Sequence, residues 1–171
     1  MNNPERQTHD VVIDCFKSAC EAALVAPYST EKEIQWYTTY RLAQTTGMSI
    51  VREERTRCAY YTDEATRLLV RADEPVPGRK RSRGYIDIVC HGTQRWAIEI
   101  KCPLGQGQAE YYNVSIRRDL QKLHDMDYVD RKYFLCLIGV PFERQFRSEL
   151  NKCREEGLLD GITDHVEVLS T

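Results

Sequence analysis

Residues 96–140 constrain the fold more than any other stretch. Residues 96–102 and 133–140 read as strands, and a helical pattern over 113–126 lies between them. A strand–helix–strand unit of this kind predicts two parallel strands joined by a right-handed crossover. Its longest apolar run, from Phe134 to Val140, is far too short to span a bilayer. No membrane partner is expected.

The rest of the chain organises around this unit. Val12, Cys15, Phe16, Ala19 and Ala23 fall on one helical stripe within residues 9–26, which Pro27 stops. Ser29 and Thr30 offer an N-cap for a second helix over 31–46, with Gly47 as its natural end. Residues 48–61 and 67–71 read as two strands, and 73–84 as a Pro/Gly-rich, positively charged loop. Residues 85–90 and 96–102 form a strand pair about Gly92, and 103–108 a loop. Pro141 opens a last helix carrying Phe142, Phe146, Leu150 and Cys153, and 166–169 are read as a short edge strand. The order predicts an α/β (mixed α+β) domain with a mixed central β-sheet flanked by helices. A single domain over 1–171 is expected, with an N-terminal helix in 1–28, an αβββαβ core in 29–140 and a C-terminal helix in 141–171.

Composition narrows the function. A net charge of −2 argues against binding nucleic acid by bulk positive charge, so any such role needs local basic patches. The 7 cysteines are odd in number and contain no CxxC pair, which predicts reduced, structural thiols in a cytoplasmic protein. The polar start of the chain has no apolar core of a secretory signal. No GxSxG, P-loop, HExxH or GxGxxG occurs, and the 4 histidines are dispersed.

The informative segment is GYIDIVCHGTQRWAIEIK, residues 84–101. Antiparallel pairing about the Gly92 turn sets Asp87 opposite Glu99. It sends Ile86, Ile88 and Cys90 to one apolar face with Trp96, Ile98 and Ile100. Asp87, Glu99 and Lys101 then share the other face. Two facing carboxylates repel unless a cation or a proton lies between them, and hard oxygen ligands suit Mg²⁺ or Mn²⁺. A lysine beside them can hold a charged oxygen. Such a set can activate water and neutralise a phosphorane-like transition state. A solvated strand face is the plainer account of the same residues.

With Asp87 in YIDIV and Glu99 and Lys101 in AIEIK, the order of elements over residues 30–140 resembles the PD-(D/E)XK nuclease superfamily. Ile86 stands where the family name has proline. The resemblance implies a restriction-endonuclease-like core and a Mg²⁺-dependent nuclease hydrolysing phosphodiester bonds. Asp87 and Glu99 would hold the metal, and Lys101 would position or help deprotonate the attacking water. It also implies a glutamate from the preceding helix, a part for which Glu31 and Gln35, one turn apart on a single face, are the candidate catalytic residues. Glu33 reads instead as the capping-box partner of Thr30. Glu53 is preferred over Glu54 as a further acid near the metal. DNA is favoured over RNA as the substrate, and a homodimer fits cutting of two strands.

Basic residues supply the remaining candidates. Arg79, Lys80, Arg81 and Arg83 precede the Asp87 strand and could contact phosphates. Arg118 and Lys122, at i and i+4 in SIRRDLQKL, could meet a backbone, although surface pairs with Asp119 explain them equally. The SIRRDLQKL segment is similar to the D-L-x-K-L pattern found after the ExK strand in several nuclease-like families. Two alternatives stay open, a ribonuclease with the same triad and a non-catalytic nucleic-acid-binding module of the same fold.

Overall fold

The computed structural model describes residues 4–25, 30–72, 74–75, 77–103 and 109–169. Helices α1 (Pro4–Val25) and α2 (Glu31–Thr46) precede strands β1 (Ser49–Thr62), β2 (Leu69–Arg71), β3 (Ser82–His91) and β4 (Arg95–Lys101). Helix α3 (Ala109–His124), strand β5 (Arg131–Gly139), a 3-10 turn (Val140–Phe142), helix α4 (Glu143–Glu155) and strand β6 (Ile162–Leu169) follow. Among the described residues the strands form one six-stranded mixed sheet in the order β2-β1-β3-β4-β5-β6. Pairing is antiparallel from β2 to β4 and parallel for β4–β5 and β5–β6. The protein is a mixed α/β fold, with four α-helices among the described residues.

Alternation along the strands gives the sheet two apolar faces. Ile88, Cys90, Trp96, Ile98, Ile100 and Leu135 pack with Phe16 of α1 and Ile34 and Leu42 of α2. Val89, Ala97, Phe134, Cys136 and Ile138 pack with Ile116 and Leu120 of α3 and Phe146 and Leu150 of α4. Each large apolar side chain so buried contributes roughly 1.5–3 kcal/mol. β4 and β5, covered on both faces, are therefore a rigid base for whatever their ends carry.

The α2 boundaries are set by local chemistry. Thr30 Oγ1 accepts from the Glu33 amide at 3.4 Å, and Glu33 Oε2 accepts from the Thr30 amide at 2.6 Å, a complete capping box. Gly47 ends the helix in the left-handed region at φ 65°. Ser29 lies outside the described residues, as does the 103–108 loop from Leu104 onward.

Several sequence expectations need correction. Helix α1 begins at Pro4, five residues earlier than residue 9, since proline suits a first helical turn. β3 begins at Ser82, so Arg83 is a strand residue paired with Ala59 and not part of a loop. After Gly139 the chain makes a 3-10 turn at Pro141 before α4 starts at Glu143. The edge strand is longer than residues 166–169 and reaches back to Ile162. Ile86 packs with the Val89 cluster and not with Ile88. The alternation slips by one residue beside Asp87. Opposite that point, between the pairs Arg52–Ile88 and Glu54–Ile86, Glu53 takes a φ of 54°.

Candidate active site

The β3–β4 ladder runs from His91–Arg95 to Ile88–Ile98, the register that sets Asp87 opposite Glu99. At Asp87 the pairing changes character. Its Oδ2 accepts a hydrogen bond from the Ile100 amide at 2.8 Å, so a side chain takes the place of a main-chain partner. The Asp87 and Glu99 carboxyls lie close enough for each to act on the other's titration. Two facing carboxylates repel unless a cation or a proton lies between them.

Glu99 is only 2% exposed. Burial first, and then the neighbouring Asp87 and Asp119, hold its carboxyl well above the usual range. Burial likewise raises Asp87, with Glu99 and the Ile100 amide opposing it. Lys122 supplies the nearest counter-charge. Its Nζ lies 2.7 Å from Glu99 Oε1 and 2.8 Å from Asp119 Oδ1, and donates to the Tyr85 carbonyl at 2.8 Å. Lys122 is therefore drawn into the acid cluster and does not stand on a solvated helix face.

Lys101, at the end of β4, lies 2.7 Å from Asp119 Oδ2 and 3.9 Å from Glu31 Oε1. Burial works against the Lys101 charge, but Asp119 and Glu31 outweigh it and hold the ammonium above the ordinary lysine range. Burial works against Lys122 in the same way, and Glu99 and Asp119 outweigh it. Asp119 itself is pushed up by burial, yet its two lysines prevail and keep it ionised. Glu31 opens α2, and its Oε2 accepts from the Cys102 amide at 2.9 Å, tying the helix to the end of β4. Burial raises Glu31, partly offset by Lys101. Gln35, one turn on, is buried.

Four carboxyls (Glu31, Asp87, Glu99, Asp119) thus surround two ammonium groups (Lys101, Lys122). If every group ionised, the acids would outnumber the bases by two. One divalent cation or bound protons would balance the cluster, and burial raises both Glu99 and Asp87 in the direction that favours a proton. Their hard oxygen donors fit Mg²⁺ or Mn²⁺. Among the described residues, no group of three His, Cys, Asp or Glu side chains stands ready at metal-ligating spacing.

Asp87, Asp119 and Lys122 open into a pocket of about 440 Å³, whose lining also includes Glu53, Gly84, Tyr85 and Arg118. Glu53 therefore shares the pocket with Asp87, whereas Glu54 hydrogen-bonds His91 Nε2 at 2.5 Å. The Lys122 stem crosses Gly84, where an added Cβ would meet its Cδ at 2.9 Å. Arg118 lines the rim but donates from Nε to the Arg67 carbonyl at 2.6 Å. Arg79 lies 4.8 Å from the Tyr61 ring, and Lys80, Arg81 and Arg83 are exposed. These four stand apart from the acid pocket.

All seven cysteines are free thiols, and burial pushes Cys20 and Cys90 up to about 12, which suits packing and not reactivity. Among the described residues, no helix is long and apolar enough to cross a membrane.

Asp119 is 8% exposed at the centre of the cluster, so the surface pairing that its spacing to Lys122 also allows is not what the fold adopts. A signal was present: Ile116, Leu120 and Leu123 mark the inner stripe of α3, and Asp119 falls within it.

Comparison with protein-family models, with curated proteins and with solved structures found no match.

Proposed function

We propose that the protein is a metal-dependent nuclease with a restriction-endonuclease-like core. The observation that carries this reading is the Asp87–Glu99 pair, set opposite each other by the β3–β4 register, inside a cluster of four carboxyls and two ammonium groups. When both carboxyls are ionised they repel, and a divalent cation between them removes that cost. Asp87 and Glu99 would hold Mg²⁺ or Mn²⁺, with Glu53 on the pocket wall as a further acid. The ion supplies Lewis-acid charge and an activated water when bound.

The protein's own groups account for the rest. Lys101 stays charged, held by Asp119 and Glu31, so it orients an anionic oxygen and does not take a proton. Lys122 stands on Glu99 Oε1 and is the second cation able to meet a phosphate oxygen at the pocket. Glu31 fixes the end of β4, and with it the position of Lys101, through the Cys102 amide. DNA is the favoured substrate, acted on by a cytoplasmic protein, with two copies needed to cut both strands of a duplex.

The test is a panel of single- and double-stranded DNA and RNA with Mg²⁺, Mn²⁺, Ca²⁺ or EDTA, using wild type and Glu99→Gln. Metal-dependent cutting of DNA by wild type alone supports the reading as stated, and preference for RNA turns it into a ribonuclease. Binding of nucleic acid with no cutting in any metal leaves a non-catalytic module of the same fold.

A further inference from the structure

A second concavity, of about 550 Å³, is lined by strands that also line the acid pocket and has the opposite charge. It is lined by Arg57, Arg71, Arg81 and Arg83 with Ser82, against one acid among the described residues, Asp127. Three arginines outside the groove are paired with carboxylates, Arg117 with Glu149 and Glu156, Arg147 with Glu143, and Arg154 with Asp164. Arg57, Arg81 and Arg83 are exposed and have no carboxylate partner among the described residues. Arg57 instead rests on the Tyr128 ring at 4.1 Å. A guanidinium lying on an aromatic face keeps its in-plane N–H donors for an acceptor such as a phosphate. Arg57, Arg81 and Arg83 thus bring three exposed guanidinium groups to one concavity of a protein whose net charge is −2.

The same three strands line both cavities. β1 gives Glu53 to the acid pocket and Arg57 to the groove, β2 gives Leu69 and Arg71, and β3 gives Gly84, Tyr85 and Asp87 on one side and Arg83 on the other, with Arg81 just before it. The β1 register shift between Arg55 and Ala59 falls at the junction. There the Thr56 hydroxyl accepts from the Gly84 amide at 3.1 Å. Six residues of chain separate Arg81 from Asp87, at most about 20 Å at 3.3 Å per residue. At about 3.4 Å of axis per nucleotide along one strand, this equals at most roughly six nucleotides.

We propose that the Arg57–Arg71–Arg81–Arg83 groove is a phosphodiester-backbone track that grips a nucleic acid within about six nucleotides of the Asp87 pocket and feeds it there. The identity of the polymer rests on the nuclease reading above, while the anion site rests on the groove itself. The track fixes position and affinity without reading sequence, because guanidinium–phosphate contacts carry no base information.

The test measures binding of labelled 20-mers, single- and double-stranded, DNA and RNA, in EDTA with Asp87→Asn as the parent. The variants are Arg81→Glu with Arg83→Glu, the milder Arg81→Gln with Arg83→Gln, and an equal charge change on α4, Arg144→Glu with Arg147→Glu. Each is first shown to keep the parent's thermal midpoint. The proposal expects the groove pairs to weaken binding about tenfold or more and to lower the salt slope by about 1.5–2, with the α4 pair near the parent. Unchanged binding in folded groove variants, or equal loss in the α4 pair, overturns it. Groove-dependent binding with no cutting by the wild-type protein in any metal would keep the track and reject the nuclease. Cutting that ignores the groove pairs would do the reverse.

Discussion

Lys122 Nζ lies 2.7 Å from Oε1 of Glu99, so a lysine of α3 neutralises an acid of β4 across the interface between helix and sheet. Asp119, one turn earlier on α3, meets the same ammonium at 2.8 Å and Lys101 at 2.7 Å. The cluster thereby joins α3, β3, β4 and α2 through charge.

Removing one member of such a set leaves a buried charge without its partner. Lys122→Met is expected to lower stability by about 3 kcal/mol. Because Glu99→Gln removes the charge left behind, the double variant Glu99→Gln, Lys122→Met should cost less than the two single costs combined. Denaturant unfolding of the four proteins in a double-mutant cycle measures this coupling.

The raised Glu99 carboxyl gives stability a sign with pH. A group whose pKa is higher folded than unfolded binds its proton more tightly in the native state. Its contribution is complete below the unfolded value near 4.5 and is lost as pH rises through the folded value. Metal-free protein should therefore lose stability as pH climbs above about 4.5. Mn²⁺ should oppose that loss and bind more tightly at higher pH, since it displaces a proton. Thermal unfolding at several pH values, with and without Mn²⁺, reads both effects. In Asp87→Asn the Mn²⁺ effect should disappear.

Gly84 leaves room for the Lys122 stem. A methyl at this position would stand 2.9 Å from Lys122 Cδ and 3.4 Å from the Thr56 hydroxyl. Gly84→Ala should displace the lysine from Glu99, costing about 1 kcal/mol as overpacking does, and lowering phosphodiester hydrolysis more than it lowers stability. Comparing the rate with the unfolding midpoint separates the two.

The capping box that starts α2 also sets where Glu31 stands. Thr30→Ala should cost about 1 kcal/mol, whereas Thr30→Ser should retain most of it. Thermal unfolding of the two variants side by side checks this.

The sequence carried the fold wherever one periodicity held over a whole element. The Thr30 to Gly47 helix, the parallel β4–β5 pair and the 84–101 hairpin register were all legible for this reason. Element ends were less so, because Pro4, Ser82 and Ile162 extend their elements beyond the residues whose burial makes a pattern. Asp87, Glu99 and Lys101 could be found because strand alternation sends them to one side. Asp119 and Lys122 were obscured, since a charged pair three apart on a helix has the same spacing whether it faces solvent or a buried acid. The slip at Ile86 left no trace in composition. It arises where Glu53 takes a left-handed backbone opposite Asp87, a tertiary event.

The central claim is that Asp87 and Glu99 hold a divalent cation for hydrolysis with Lys101 beside it. Single-turnover cleavage of labelled DNA in Mg²⁺ or Mn²⁺ and in EDTA, by identically purified wild type, Asp87→Ala and Lys101→Ala, tests it most directly. The account predicts cutting by wild type that EDTA abolishes, with each variant slower by about 100-fold or more. Variants that cut as fast as wild type, or cutting that persists in EDTA, would contradict it.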